Sequence, residues 1–145
     1  MIPDSIARFL LDQTCATICC IDEAYNPYCF NCFYAFDKEN GLLYFKSSPE
    51  TYHASLLAAN PVIAGTVLPD TLNKAATRGV QIRGRILSGT HPMVIDGYDV
   101  YHRKYPAALM IRGHVFAIEL DEIKMKDRKP GMGRKLLWKR NRDCR

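Results

Sequence analysis

A chain of 145 residues with a net charge of +5 suits one domain, and at this size roughly 68–70% of the unfolded surface is buried on folding, enough for an ordinary core. Apolar residues at 48% and charged ones at 24% exclude a disordered or low-complexity chain. No apolar run approaches the ~20 residues of a membrane-spanning helix. Arg8 followed by a short apolar patch at 9–11 does not make a secretory signal, so a single soluble, cytoplasmic domain over 1–145 is expected. The positive charge is local. Residues 124–145 hold ten Lys/Arg against two Asp, a net of +8, while the remaining ten Lys/Arg face thirteen Asp/Glu, a net of −3. This predicts a solvated basic C-terminal segment on a mildly acidic body.

Ile2, Ile6, Phe9 and Leu10 recur at helical spacing behind Pro3 and Asp4, predicting a short opening helix. Residues 14–21 are β-branched and apolar and read as a first strand; Asn26-Pro27 marks a turn, and 28–36 a second strand. Asp37-Lys38-Glu39-Asn40-Gly41 reads as a hairpin loop before a third, short strand at 42–46. Ser48-Pro49-Glu50 combines an N-cap hydroxyl, a proline at the first helical position and an acid in the first turn. The helix it predicts carries His53, Leu56, Leu57 and Asn60 on one stripe and stops at Asn60-Pro61. A fourth strand is expected at 62–68, a polar loop at 69–79, and a fifth strand where Val80, Ile82 and Ile86 alternate with Gln81, Arg83 and Arg85. A helix at 93–105 before Pro106, a sixth strand at 115–123, and a loop at 130–133 leading into Leu136, Leu137 and Trp138 complete the chain. Six strands with three helices, outside strict βαβ alternation, predict a small, mostly β (α+β) barrel.

Six cysteines stand at 15, 19, 20, 29, 32 and 144, and without a secretory signal they are expected to be free thiols. Cys29-Phe30-Asn31-Cys32 has the C-x-x-C spacing, but on a strand positions i and i+3 face opposite sides, and no second ligand pair completes a metal set. Buried small apolar roles are expected for the cysteines, and no metal. No G-x-S-x-G, H-E-x-x-H or G-x-x-x-x-G-K motif is present. His91, His102 and His114 show no ligand spacing and read as surface residues. The strand end Lys46-Ser47-Ser48 running into a helix N-terminus is a candidate anion site, where unpaired N–H groups and the helix dipole favour phosphate. Thr51, Tyr52 and His53 add donors there; the plainer reading is that Ser48 only caps the helix. Trp138 among the basic residues 134–142 suits stacking on a base or flavin, or packing of the tail onto the body.

The block Leu43-Tyr44-Phe45-Lys46-Ser47-Ser48-Pro49-Glu50-Thr51-Tyr52-His53, running on to Asn60-Pro61-Val62, resembles the FMN-binding split barrels related to pyridoxamine 5'-phosphate oxidase. In that superfamily a strand ending in Ser/Thr enters a helix whose first turn holds the FMN phosphate. Residues 29–37 resemble the strand that flanks the flavin ring, and Arg78-Gly79-Val80-Gln81-Ile82-Arg83-Gly84 a later strand. Over nearly the whole chain the likeness is to a small bacterial subgroup sharing the Arg-Gly-Val-Gln run at 78–81, Leu-Asp-Glu-Ile-Lys at 120–124 and the ending from Gly131 to Trp138. The resemblance implies a six-stranded split β-barrel with flanking short helices and FMN as cofactor. It also implies a homodimer with the cofactor site at its interface. Ser47, Thr51 and His53, with Lys46, Ser48 and Tyr52, would hold the phosphate; Asn31, Cys32 and Phe33 would meet the isoalloxazine edge, and Trp138 would cover the site from the partner subunit. The oxidase's basic pair on the helix falls at Tyr52 and His53, and its basic residues on the second strand at Cys29 and Tyr34. Its C-terminal Arg/His substrate motif is absent, so pyridoxamine phosphate oxidase activity is not expected. A flavin-dependent oxidoreductase is the leading expectation; the alternatives are a flavin-free barrel acting as a binding module and nucleic-acid binding through the basic segment.

Overall fold

The computed structural model describes residues 1–129 and 132–143. In chain order the elements are α1 (Asp4–Asp12), β1 (Cys15–Ile21), β2 (Pro27–Asp37), β3 (Leu42–Ser47), α2 (Tyr52–Ala59), β4 (Val62–Val67), β5 (Thr77–Ile86), α3 (Pro92–Lys104), a 3-10 turn (Pro106–Met110), β6 (His114–Lys129) and β7 (Met132–Lys139). The strands follow the order β3-β2-β1-β4-β5-β6-β7, and β6 also pairs with β3. Six strands therefore close a barrel, every neighbouring pair antiparallel.

The barrel interior is built by alternation. Leu43 and Phe45 of β3, Ile18 and Cys20 of β1, Val80 and Ile82 of β5, and Ile118, Leu120 and Ile123 of β6 share one core with Ile6, Phe9 and Leu10 of α1. Their β3 neighbours, Leu42 and Tyr44, face the other way, into a second core with Ala35, Ala117 and Tyr101 of α3. Gly97 is what lets α3 lie so close: a Cβ there would stand 2.3 Å from the Tyr44 ring. Tyr44 in turn donates its hydroxyl to the Met93 carbonyl at 3.1 Å. The two faces of β3 thus lead to different surroundings, which decides where Lys46 and Ser47 point.

The basic C-terminal segment differs from the solvated tail expected of it. β6 continues to Lys129 and β7 returns along it, with Ile123 opposite Trp138 and Lys129 opposite Met132. This seventh strand is an addition to the six expected. Leu136 and Trp138, at alternate positions, pack against the barrel core. Arg140 then donates to the carbonyls of Leu120 (2.7 Å), Asn40 (2.8 Å) and Gly41 (3.0 Å), and Arg142 pairs with Glu119 at 3.0 Å and with Asp121. Two carboxylates of the body thus meet one guanidinium of the segment. Cys144 lies outside the described residues, as does the Pro130-Gly131 part of the expected loop.

Smaller corrections concern helix starts and single residues. The N-cap of α2 is Thr51, not Ser48: the Thr51 N–H and hydroxyl both bond the Ser48 carbonyl (3.3 and 3.0 Å). That pins a turn, and the helix starts one turn later, with Thr51 Oγ1 accepting from the Ala54 N–H at 3.3 Å. β5 begins at Thr77, inside the loop expected to reach 79. His102, expected at the surface, is only 6% exposed; of the cysteines expected to be buried, Cys15 and Cys29 are exposed.

Candidate functional site

β2 and β3 pair only from Tyr34↔Phe45 to Asp37↔Leu42. Beyond that register the strands separate, and the first turn of α2 occupies the gap. His53 stacks on Phe30 of β2, ring centroids 3.9 Å apart and planes 8° from parallel, while Tyr52 meets Tyr28 edge-on at 5.0 Å. Phe30 also packs on Phe45, the last core residue of β3. Two residues further on the same face, the Ser47 hydroxyl lies 2.7 Å from His53 Nε2. Burial holds the His53 imidazole below the usual histidine pKa range, so the ring is neutral at pH 7. In the tautomer with its proton on Nε2 it donates to Ser47 Oγ, leaving the serine hydrogen free for an outside acceptor.

The N-terminus of α2 supplies further donors. The Ala54 N–H is taken by Thr51 Oγ1 and the Ser55 N–H by the Thr51 carbonyl. Among the described residues the N–H groups of Tyr52 and His53 have no partner, as expected of a first helical turn. Ser48 Oγ accepts from the Glu50 N–H at 3.2 Å and keeps its own hydrogen to give. Thr51 is different: its hydroxyl both accepts and donates within the turn, so it orders the donors without adding one.

Lys46 does not join this cluster. It follows Leu42 and Tyr44 to the other face of β3, where Nζ lies 2.9 Å from His102 Nε2 and donates to the Ala108 carbonyl at 2.8 Å. An ammonium has only donors, so His102 Nε2 accepts, and His102 Nδ1–H donates to the Tyr98 carbonyl at 2.8 Å.

The three residues expected at a flavin ring divide between faces. Cys32 turns inward, and burial pushes its thiol up to about 12. Asn31 and Phe33 turn outward, Phe33 60% exposed and Asn31 accepting from the Thr17 hydroxyl at 2.7 Å. Trp138 is held on its own barrel with the Arg140 guanidinium 5.6 Å above its ring. Its partner Ile123 lies nine residues along β6 from His114, the partner of Ser47, or about 30 Å of extended strand. Within one chain Trp138 is remote from Ser47.

His114, read from the sequence as a plain surface residue, is the cross-strand neighbour of Ser47. Only the β3–β6 register brings it there. It also borders a depression of about 800 Å³ between α2, α3 and the start of β6, lined by Leu57, Val94, Tyr98 and Phe116 among others. That size lies within the range of small-molecule sites. Among the described residues no group of three or more His, Cys, Asp or Glu is placed to hold a metal ion.

No protein-family model matches this chain. The UPF0306 protein YhbP of Escherichia coli (strain SMS-3-5) is 34% identical over 137 residues, covering 94% of this chain and 92% of that protein. The chain belongs to the UPF0306 family. A UPF0306 protein of Yersinia enterocolitica is 32% identical over 135 residues, covering 93% of this chain and 91% of its own. Among solved structures, a heme-binding protein of Mycobacterium smegmatis superposes with a TM-score of 0.76 at 14% identity, over 96% of this chain and 59% of that longer one. A FAD-binding protein of Mesorhizobium loti gives a TM-score of 0.71 at 14% identity, over 89% and 96%. An F420 reductase gives 0.63 at 16% identity, over 84% and 98%. These likenesses establish the fold of this UPF0306 member: a split β-barrel, mostly β, with flanking helices. No helix is long and apolar enough to cross a membrane.

Proposed function

We propose that this UPF0306 chain binds a flavin, FMN, through its phosphate at the N-terminus of α2, and that it does so as a homodimer. One observation carries the reading: two unpartnered N–H groups, Tyr52 and His53, stand at a helix N-terminus beside a Ser47–His53 pair that can turn a hydroxyl outward. Unpaired amides and the positive end of the helix dipole are suited to a phosphate monoester. The barrel neighbours that are a FAD-binding protein and an F420 reductase support the cofactor class.

In this reading the Tyr52 and His53 amides and the Ser47 and Ser48 hydroxyls donate to phosphate oxygens, and Thr51 holds the turn that aims them. His53 backs Ser47 and gains charge when the dianion arrives. The Tyr28–Tyr52 contact shields one side. Asn31, Cys32 and Phe33 offer their strand edge to the ring, and Trp138, too far from Ser47 in its own chain, reaches the site only from a second copy. A bound isoalloxazine supplies reversible electron transfer, which makes an oxidoreductase the natural activity.

A second reading has one observation in its favour. Among the described residues no Lys or Arg bonds the Ser47–His53 pair, because Lys46 faces the other way. Each charge-assisted contact is worth about 1.5–3 kcal/mol, so a barrel without one fits a flavin-free binding module. Titration of FMN and riboflavin against the protein, followed by flavin fluorescence and gel filtration, separates the readings. Retained FMN with weaker riboflavin supports the first; retention of neither flavin leaves the second.

A further inference from the structure

Cys19 of β1 and Cys29 of β2 are register partners across the first hairpin. The hydrogen-bond phase of that hairpin puts them where the strands come closest. Asp22 donates its N–H to the Asn26 carbonyl at the turn, and Tyr34 donates to the Thr14 carbonyl at the far end, each at 3.0 Å. Both are therefore hydrogen-bonded pairs, and pair types alternate along an antiparallel ladder. Cys20–Tyr28, Ile18–Phe30 and Ala16–Cys32 fall in the same class as these two ends. Cys19–Cys29 falls in the other class with Thr17–Asn31, where Cα atoms are about 4.5 Å apart and side chains lie nearest. Thr17 and Asn31, the next pair on the same face, show the proximity directly: their side chains hydrogen-bond at 2.7 Å. A Cα separation of about 4.5 Å lies within the 4.4–6.8 Å that disulfides span.

The pair is also reachable. Cys29 is exposed and Cys19 partly so, and both line a depression of about 310 Å³ with Thr66, Gln81 and Arg83. The other described cysteines are placed differently. Cys20 is buried, with its thiol 3.4 Å from the Tyr28 carbonyl; Cys32 is turned inward; Cys15 stands opposite Phe33.

We propose that Cys19 and Cys29 form a reversible cross-strand disulfide by exchange with a small-molecule disulfide, making this hairpin a redox modification site independent of any flavin. Cys29, the more exposed, attacks one sulfur of the oxidant as its thiolate, and one small thiol leaves. Cys19 then attacks the mixed disulfide at the Cys29 sulfur and expels the second. Two protein S–H bonds are lost and one S–S bond forms; the two electrons and two protons leave with the oxidant as two thiols. Burial and the neighbouring Cys29 thiol hold Cys19 above the ordinary thiol pKa, so Cys19 acts second.

The test uses the full chain with oxidised glutathione, alkylation of remaining thiols, and mass mapping without reduction. The expected result is loss of two of the six thiols and of two hydrogens in mass. A peptide linking Cys19 to Cys29 appears, and dithiothreitol reverses the change. Cys19→Ser should stop at glutathione held on Cys29, Cys29→Ser should give no link, and Cys20→Ser and Cys32→Ser should leave the link intact. Separate glutathionylation of both thiols without a link, a link to a different cysteine, or a disulfide joining two copies on a non-reducing gel would each overturn the proposal.

Discussion

Lys46 and Ser47 are adjacent on β3 and each meets a histidine, yet they build opposite kinds of site. On the α3 side the Lys46 ammonium, His102 and the carbonyls of Ala108 and Tyr98 satisfy one another, and His102 is buried. On the α2 side Ser47 and His53 also bond, but next to them two amides have no partner among the described residues and two hydroxyls have hydrogens to give. The first cluster is closed and holds α3 and the 3-10 turn against the barrel. The second is left open, and the lesson is that the more conspicuous charge does structural service while the less charged pair stands beside the free donors on which the proposed phosphate site rests.

Breaking the closed side should give the largest effect. Lys46→Met leaves His102 Nε2 and the Ala108 carbonyl without a donor, each such loss being worth about 1–3 kcal/mol. We expect destabilisation of about 3 kcal/mol in urea melts, with the FMN-to-riboflavin affinity ratio unchanged. On the open side, His53→Ala removes the group that orders Ser47 and should weaken FMN about tenfold, or about 1.4 kcal/mol, while riboflavin, which lacks the phosphate, changes little; isothermal titration reads both. Thr51→Ala removes the α2 cap and should cost about 1 kcal/mol of stability by thermal melting, with a small loss of FMN affinity because the donors lose their aim.

The smallest effect is on pH. His53 is held below the usual histidine pKa by burial, so between that lowered value and about 6.5 the unfolded chain binds the extra proton and the folded one does not. Stability from this group is therefore present above about pH 6.5 and declines as pH falls toward the lowered pKa. A bound dianion reverses the preference by favouring imidazolium. FMN affinity relative to His53→Gln should rise severalfold from pH 7.5 to pH 5.5, the phosphate's own titration cancelling in the comparison. An identical pH profile in both proteins would remove His53 from the phosphate set.

The barrel could be read before the structure because its strands alternate strictly or carry β-branched runs, as Val80, Ile82 and Ile86 do against Gln81, Arg83 and Arg85. β7 hid because Arg134, Lys135 and Lys139 surround Leu136 and Trp138, so charge outweighed alternation. The start of α2 differs from the sequence expectation because Ser48 and Thr51 are both good caps three residues apart, and only the backbone turn decides between them. Tertiary structure alone decides the histidines: His102 is buried by the packing of α3, while His114 stays exposed as expected and is brought beside Ser47 by β3–β6 pairing. The Cys19–Cys29 pairing is set by the phase of a hairpin, whereas the C-x-x-C spacing points to Cys29 and Cys32, which face opposite ways.

The most direct measurement is a parallel titration of FMN and riboflavin against the wild-type chain and the Ser47→Ala/His53→Ala double variant. With the phosphate at the α2 N-terminus, FMN binds the wild type at least about tenfold tighter than riboflavin, and the double variant brings the two affinities together by weakening FMN alone. Equal binding of both flavins by the wild type, or an FMN preference that survives the double substitution, would contradict the account.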